Sequence, residues 1–362
     1  MSIRLIYASS EQDANLRYWS RMWIYDPFLA FEAEGRRYAI SNALEIDEMR
    51  RNSGFDEVLL ASDFTAQDNP KIPDLIQCIG EKFPHHEFLL PQNFPAYLIL
   101  KLQERGIKFS VTEGEFLPER SIKSAAEVAQ IRKACEITAR AFAHVRSMLA
   151  NATIVGEFLY DHGEVLTSER IRSAIEKICF EGGALARGTI VACGQEAAFP
   201  HNRGSGKVRA NEFIVVDIFP RLIESGYHGD MTRTFLKGQP SKEQQKMYQA
   251  VLDVQNLAIA NLHAGKTARE IHKNNVQAFE DMGYASTHRT GFFHSTGHGV
   301  GLELHEHPFL GDCDHIFQVG EVVTIEPGLY YPQAGGVRIE DVFMVGSHGP
   351  ERLSEFPYDW IL

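Results

Sequence analysis

The sequence predicts a mixed α/β protein in two domains, and three observations carry that expectation. Over residues 1–118, short apolar runs alternate with helical patterns, the signature of a small α/β layer structure. A polar, proline-containing stretch, TEGEFLPERSIKS (112–124), then reads as a linker. Beyond it, long helical periods alternate with β-branched strands, several of which end in a carboxylate. The expected domains are therefore 1–118 and 119–362, and 362 residues suffice to bury two cores.

In the N-terminal part the candidate strands are Phe28–Phe31, Tyr38–Ile40, Val58–Ala61 and Phe88–Leu90, with helical patterns over Asn42–Asn52 and Pro95–Gly106. Ser124 opens the clearest helix, because Glu127 three residues on completes a capping box. Its apolar stripe, Val128, Ile131, Cys135, Ala139, Phe142, Val145 and Leu149, recurs near the 3.6 period of a core-facing helix. Residues 151–167 read as a loop, followed by a helix from about Ser168 to Phe180 that stops at Gly182–Gly183. Strands are expected over 189–193 and 212–218. Helices follow over Ser241–Leu262 and Ala268–Met282, with Gly265 and Gly283 placed for left-handed caps. The last eighty residues return to strands at 322–325 and 337–345.

A net charge of −12 and a pI near 5.7 argue against a polyanionic partner, so no nucleic acid is expected. Five cysteines without a CxxC pair read as core filler in a reducing compartment. The first residues lack the apolar core of a signal peptide, and the apolar stretch FLLPQNFPAYLILKL is short and broken by Pro91 and Pro95. Cytoplasmic location without membrane contact is the expectation.

Five side chains able to bind a metal sit in separate Gly- or Pro-punctuated apolar segments: Asp217, Asp230, His298, Glu326 and Glu340. In VVDIFPRLIESGYHGDMTRTF (215–235) a buried strand ends in Asp217, and a turn containing Gly226 and Gly229 returns Asp230 beside it. Either aspartate alone would read more readily as a turn cap. In HSTGHGVGLELHEHP (294–308), glycines on both sides of His298 would let the backbone approach a ligand. In VVTIEPGLY (322–330) a buried strand ends in Glu326. In GGVRIEDV (335–342) Arg338 and Glu340 share a strand face, so Arg338 is an alternative partner for that carboxylate. AAFPHNRG (197–204) puts His201 on a Pro-initiated turn. Four carboxylates supply roughly −4 and two divalent cations roughly +4, whereas the carboxylates alone would repel one another. Such a set suits a dinuclear hydrolase.

In this order the motifs resemble the pita-bread metallopeptidases, the superfamily of methionine aminopeptidase, aminopeptidase P and prolidase. The resemblance is strong over 118–362 and weaker over NLRYWSRMWIYDPFLAFEAEGRRYAIS, which is similar to the start of the creatinase-type domain preceding prolidases. It implies an N-terminal creatinase-type α/β domain followed by a pseudo-two-fold pita-bread catalytic domain. The N-terminal domain and Arg338 both favour the prolidase and aminopeptidase P branch.

By that resemblance Asp217 would chelate the first metal, His298 and Glu326 would bind the second, and Asp230 and Glu340 would bridge the two. Glu326 would double as general base for a metal-bridging hydroxide. His305 would hydrogen-bond the scissile carbonyl, His201 would assist the departing nitrogen, and His294 and Arg338 would contact the proline and carboxyl side of the substrate. The expected cofactors are two divalent ions, Mn²⁺ foremost, with Co²⁺, Zn²⁺ or Fe²⁺ as alternatives suited to the same oxygen-rich shell. The expected substrate is a proline-containing di- or oligopeptide, cleaved before proline, and the assembly a homodimer. The short His305-to-Glu326 connection favours Xaa-Pro dipeptidase over the alternative, Xaa-Pro aminopeptidase. A non-catalytic binding scaffold on the same fold is disfavoured because all five ligand positions are filled. Two departures stand out: a lengthened 217–230 turn with Phe219 where a glycine is common, and an apparent insertion at 151–167.

Overall fold

The computed structural model describes residues 2–65, 70–84 and 87–362, which form two compact units, Met1–Arg120 and Ser121–Leu362. Unit 1 is built on a six-stranded mixed sheet. Its order is Glu57–Leu60, Arg36–Ser41, Phe28–Ala33, Ser2–Ala8, Glu87–Leu90, Phe109–Val111. The first strand in the chain, Ser2–Ala8, is central, antiparallel to Phe28–Ala33 and parallel to Glu87–Leu90. Period-two alternation splits its side chains between faces: Ile3 and Leu5 enter one core cluster and Ile6 the other. The helix expected from Asn42 begins at Ile46, because the Asn42 side chain accepts from the amides of Leu44 and Glu45 in an Asx turn. The strand expected over Val58–Ala61 ends at Leu60, where a one-turn helix, Ala61–Phe64, takes over.

In unit 2 a pair of helices followed by an antiparallel sheet occurs twice. Helices Ala125–Asn151 and Ser168–Glu181 precede a three-stranded sheet ordered Ile190–Cys193, Ile214–Ile218, Met231–Phe235. Helices Lys242–Asn261 and Ala268–Asp281 precede a five-stranded sheet whose middle strands are Gly297–Gly299, Val322–Ile325 and Asp341–Gly346. The capping box at Ser124 and Glu127 is complete, and the stripe from Ile131 to Leu149 is buried apart from a partly covered Ala139. Gly283, at φ 87°, is the left-handed cap expected of it, whereas Gly265, at φ 88°, lies three residues beyond the C-cap Leu262, in a separate turn closed by the Lys266 amide on the His263 carbonyl.

Two expectations need correction. Residues 151–167 are not a loop: Thr153–Val155, Phe158–Asp161 and Glu164–Val165 form an antiparallel meander, turned at Gly156 and Gly163, both with positive φ. The run 337–345 is not one strand. Gly335–Arg338 pairs with Gly328–Tyr331, whereas Asp341–Gly346 joins the five-stranded sheet. The switch falls at Ile339–Glu340, where the Glu340 amide donates to the Thr232 carbonyl at 3.1 Å and ties this segment to the three-stranded sheet. No helix among the described residues is long and apolar enough to cross a membrane.

Candidate metal centre

The two aspartates are brought together by strand register. Ile214–Ile218 runs antiparallel to Met231–Phe235 with Asp217 opposite Thr232 and Ile218 opposite Met231, so Asp230 enters just beyond the ladder. Gly229 allows that return. A Cβ there would lie 2.7 Å from the Ala134 carbonyl carbon and 2.8 Å from the Cys135 nitrogen, so only glycine lets this segment pass the long helix. Glu326 and Glu340 meet by the same logic in the other sheet. Ile325 stands opposite Asp341 in the last pair of that ladder, so Glu326 and Glu340 each lie one residue beyond it. The charge of Glu326 raises the Glu340 carboxyl, a repulsion that a cation between them relieves.

His298 occupies the strand Gly297–Gly299, and its flanking glycines also let neighbouring backbone come close. A Cβ at Gly297 would fall 2.0 Å from the Thr324 carbonyl oxygen and one at Gly299 2.4 Å from that of His307. The close approach these glycines allow here is to neighbouring strands. The imidazole Nδ1 faces the Gly299 carbonyl at 3.1 Å, and a carbonyl only accepts, so Nδ1 carries the proton. Nε2 is left with its lone pair, 3.4 Å from Glu326 Oε1 and 3.7 Å from Asp230 Oδ2. Burial and the neighbouring His305 hold the ring neutral, with its pKa lowered to about 3. That is the tautomer and charge state a metal ligand needs.

Ligand atoms of Asp230, His298 and Glu340 all lie within 4.8 Å of one another. All five candidate ligands, with His201, His294, His305 and Arg338, line one cavity of about 960 Å³. Arg338 is buried and does not pair with Glu340. Its Nη2 donates to Asp217 Oδ2 at 2.7 Å, Nη1 to the Tyr330 hydroxyl at 3.1 Å and the Pro200 carbonyl at 3.4 Å, and Nε to Thr232 Oγ1 at 3.3 Å. Glu340 instead accepts from Thr232 Oγ1 at 2.7 Å. Asp217 Oδ1 is buried with no hydrogen-bond partner. A buried carboxylate oxygen with nothing to accept from is costly, and a cation satisfies it.

The electrostatics point the same way. Burial, then the charges of Asp217 and Glu326, push Asp230 well above the usual carboxylate range. Burial, then Asp230, Glu326 and Asp217, do the same to Glu340. Burial lifts Glu326 to about 8, with Arg338 opposing and Asp217 adding to the rise. The protein alone therefore pays to ionise these groups, and a hard, oxygen-rich donor set with one neutral imidazole fits divalent cations.

Around this centre the walls are aromatic: Phe199, Phe219, Phe293 and Phe309 line the same cavity. His294 donates from Nδ1 to the Ser295 carbonyl at 2.7 Å and accepts at Nε2 from the Tyr330 hydroxyl at 3.0 Å, so its ring face is what it offers the cavity. His305 packs edge-on against His298, ring centroids 4.3 Å apart, and its pKa is lowered, chiefly by burial. The adjacent Glu306 forms a buried ion pair with Lys123 at 2.7 Å, which anchors the segment that carries His305. Behind Glu340, Asp341 accepts from Arg233 and Ser354 at 2.9 Å and from Tyr358 at 2.7 Å, fixing that strand from the far side. Sequence reasoning did not single out Thr232, Tyr330, Lys123 or Asp341. The signal for Thr232 was present, because it shares the period-two face of Asp230.

Residues 129–347, more than half of the chain, match the profile of metallopeptidase family M24. Over 240 residues the chain is 34% identical to an Xaa-Pro dipeptidase of Pyrococcus furiosus. That match covers 65% of this chain and 64% of the relative, a little under two thirds of the relative's length. The fold superposes on an Xaa-Pro dipeptidase from Bacillus anthracis with a TM-score of 0.84 at 25% identity, covering 100% of this chain and 95% of that one. It also matches the fold of an X-Pro aminopeptidase from Thermotoga maritima, with a TM-score of 0.82 at 24% identity and coverage of 100% and 98%. The expected mixed α/β, pita-bread architecture is the one observed. By its sequence profile, its fold and the relatives it matches, the chain belongs to metallopeptidase family M24.

Proposed function

We propose that this chain is an Xaa-Pro dipeptidase that works with two divalent cations. The observation that carries the reading is the convergence of Asp217, Asp230, His298, Glu326 and Glu340 on one cavity, with Asp217 Oδ1 unsatisfied and His298 Nε2 unprotonated. Asp217 would hold one cation, His298 and Glu326 would hold the other, and Asp230 and Glu340 would serve both. When bound, such cations polarise a carbonyl and make water nucleophilic near neutral pH. Mn²⁺ is the foremost candidate, with Co²⁺, Zn²⁺ and Fe²⁺ suited to the same ligands.

The chain's own residues do the rest. Glu326 takes a proton from the attacking water and passes it to the departing nitrogen. His305 donates to the scissile carbonyl oxygen as negative charge grows there. His201, exposed on its turn, assists the leaving nitrogen. Arg338 holds Asp217 and Tyr330 in place on the substrate's proline side, where His294 presents its ring face. A peptide bond before proline has no N–H to grip, so the ring must be recognised by shape. The aromatic walls of Phe199, Phe219, Phe293 and Phe309 suit that task.

The same resemblance extends the proposal to a homodimer, checked by light scattering, where a monomeric mass would contradict it. The test of function is hydrolysis by metal-loaded protein of a dipeptide Xaa-Pro set against a tripeptide Xaa-Pro-Yaa. Cleavage of the dipeptide supports the reading, cleavage of the tripeptide alone supports the aminopeptidase alternative, and cleavage of neither supports a non-catalytic scaffold.

A further inference from the structure

Resting on the Xaa-Pro reading and naming its substrate more closely, we propose that Arg203 receives the free C-terminal carboxylate of the substrate, which makes the site selective for dipeptides. The carboxylate of an Xaa-Pro dipeptide lies close to the scissile bond and must be met by a cation when it leaves water. Only two permanently charged cations line the cavity among the described residues, Arg203 and Arg338. Arg338 is committed. It is buried with donors on Asp217, Tyr330, Pro200 and Thr232, and a substrate carboxylate that drew it away would leave Asp217 unpaired among three other acids. His294 has both ring nitrogens engaged, and the free nitrogen of His298 faces Glu326 and Asp230.

Arg203 has the opposite character. Its side chain is exposed at the cavity, and among the described residues no carboxylate lies in ion-pair range of it. Its backbone, in contrast, is fixed. The Arg203 carbonyl accepts from the Val191 amide at 3.0 Å and from Arg172 Nη1 at 2.6 Å. Asn202 Oδ1 accepts from the Gly204 amide at 2.9 Å, and Gly204, at φ 75°, sits where a Cβ would fall 1.8 Å from the Val191 carbonyl oxygen. The segment is therefore pressed onto the strand Ile190–Cys193, whose Ile190 stands directly opposite Asp217. A rigid base with an uncommitted guanidinium, one strand removed from the metal ligands, is a preorganised fork for a carboxylate.

Three substrates decide the matter with Mn²⁺-loaded protein: Leu-Pro, Leu-Pro amide and Leu-Pro-Gly. Wild-type protein is expected to prefer the free dipeptide in kcat/KM, and Arg203→Ala to reduce the acid-over-amide preference roughly 10- to 100-fold, through KM, the scale of one charge-assisted pair. Arg203→Lys should keep part of the preference, because it restores the charge without the fork. Calorimetric titration with proline and with prolinamide reads the same ratio without turnover. An acid-over-amide ratio within about twofold of wild type in Arg203→Ala would overturn the assignment, as would a wild-type protein that cleaves all three equally. If wild-type protein cleaves none of the three, the Xaa-Pro reading itself fails and takes this assignment with it.

Discussion

Metal-free protein should lose stability as pH rises from about 5 to about 8, and Glu326 dominates the part that can be sized. Burial lifts this carboxyl from its ordinary 4.5 to about 8 in the folded chain. Between those values the folded state keeps a proton that the unfolded state has released. Stability from this group is therefore fully present below 4.5 and is lost as pH climbs through about 8. A rise of that size corresponds to roughly 4–5 kcal/mol once titration is complete. Asp230 and Glu340 are shifted in the same direction and add to the loss. The sum is a large share of the roughly 5–15 kcal/mol that holds a typical domain folded. The assay is urea unfolding of chelator-treated protein, followed by far-ultraviolet circular dichroism at both pH values, beside Glu326→Gln. That variant removes the titrating group, so the stability difference between the two pH values should shrink by about 3–4 kcal/mol. Saturating Mn²⁺ should reverse the slope, because a cation needs ionised ligands. Wild-type protein equally stable at both pH values, or a Glu326→Gln slope matching wild type, would refute the reasoning.

Asp230→Ala or Glu340→Ala should abolish turnover and release metal, since each removes a shared ligand; full activity with two ions retained by metal analysis would contradict that role. His305→Ala should keep both ions but lower kcat by about 10²–10³, the scale of one lost oxyanion donor. An unchanged kcat would remove His305 from the reaction. Asp341→Ala should destabilise the fold by about 3–5 kcal/mol, because it leaves the buried Arg233 guanidinium without its carboxylate. A shift below about 1 kcal/mol in denaturant unfolding would mean that the pair is dispensable.

How much of this was legible in the sequence depends on how local the signal was. The capping box at Ser124 and the buried stripe below it involve residues three and four apart, and they read correctly because helix physics is local. The pairing of Asp217 with the return strand was readable from the apolar run and the intervening glycines. The need for Gly229 was not, because it arises from contact with the helix at Ala134, almost a hundred residues away. The same applies to Gly297 and Gly299, whose neighbours are carbonyls of other strands. Arg338 was seen to share a face with Glu340, yet its partner is Asp217, a choice made by three-dimensional proximity between two sheets. The meander at 153–165 was hidden because its strands are two to four residues long, too short for alternation to register. In the last strands, continuous apolar character concealed the change of sheet at Glu340, where bonds to Thr232 and Thr234, far off in sequence, hold the backbone.

Anomalous diffraction from crystals of the Mn²⁺-loaded protein tests the central claim most directly. Two peaks about 3.5–4 Å apart are expected, both touching the carboxylates of Asp230 and Glu340, one also reached by Asp217 and the other by His298 and Glu326. A single peak, or peaks lying outside the cavity these five side chains enclose, would contradict the dinuclear account.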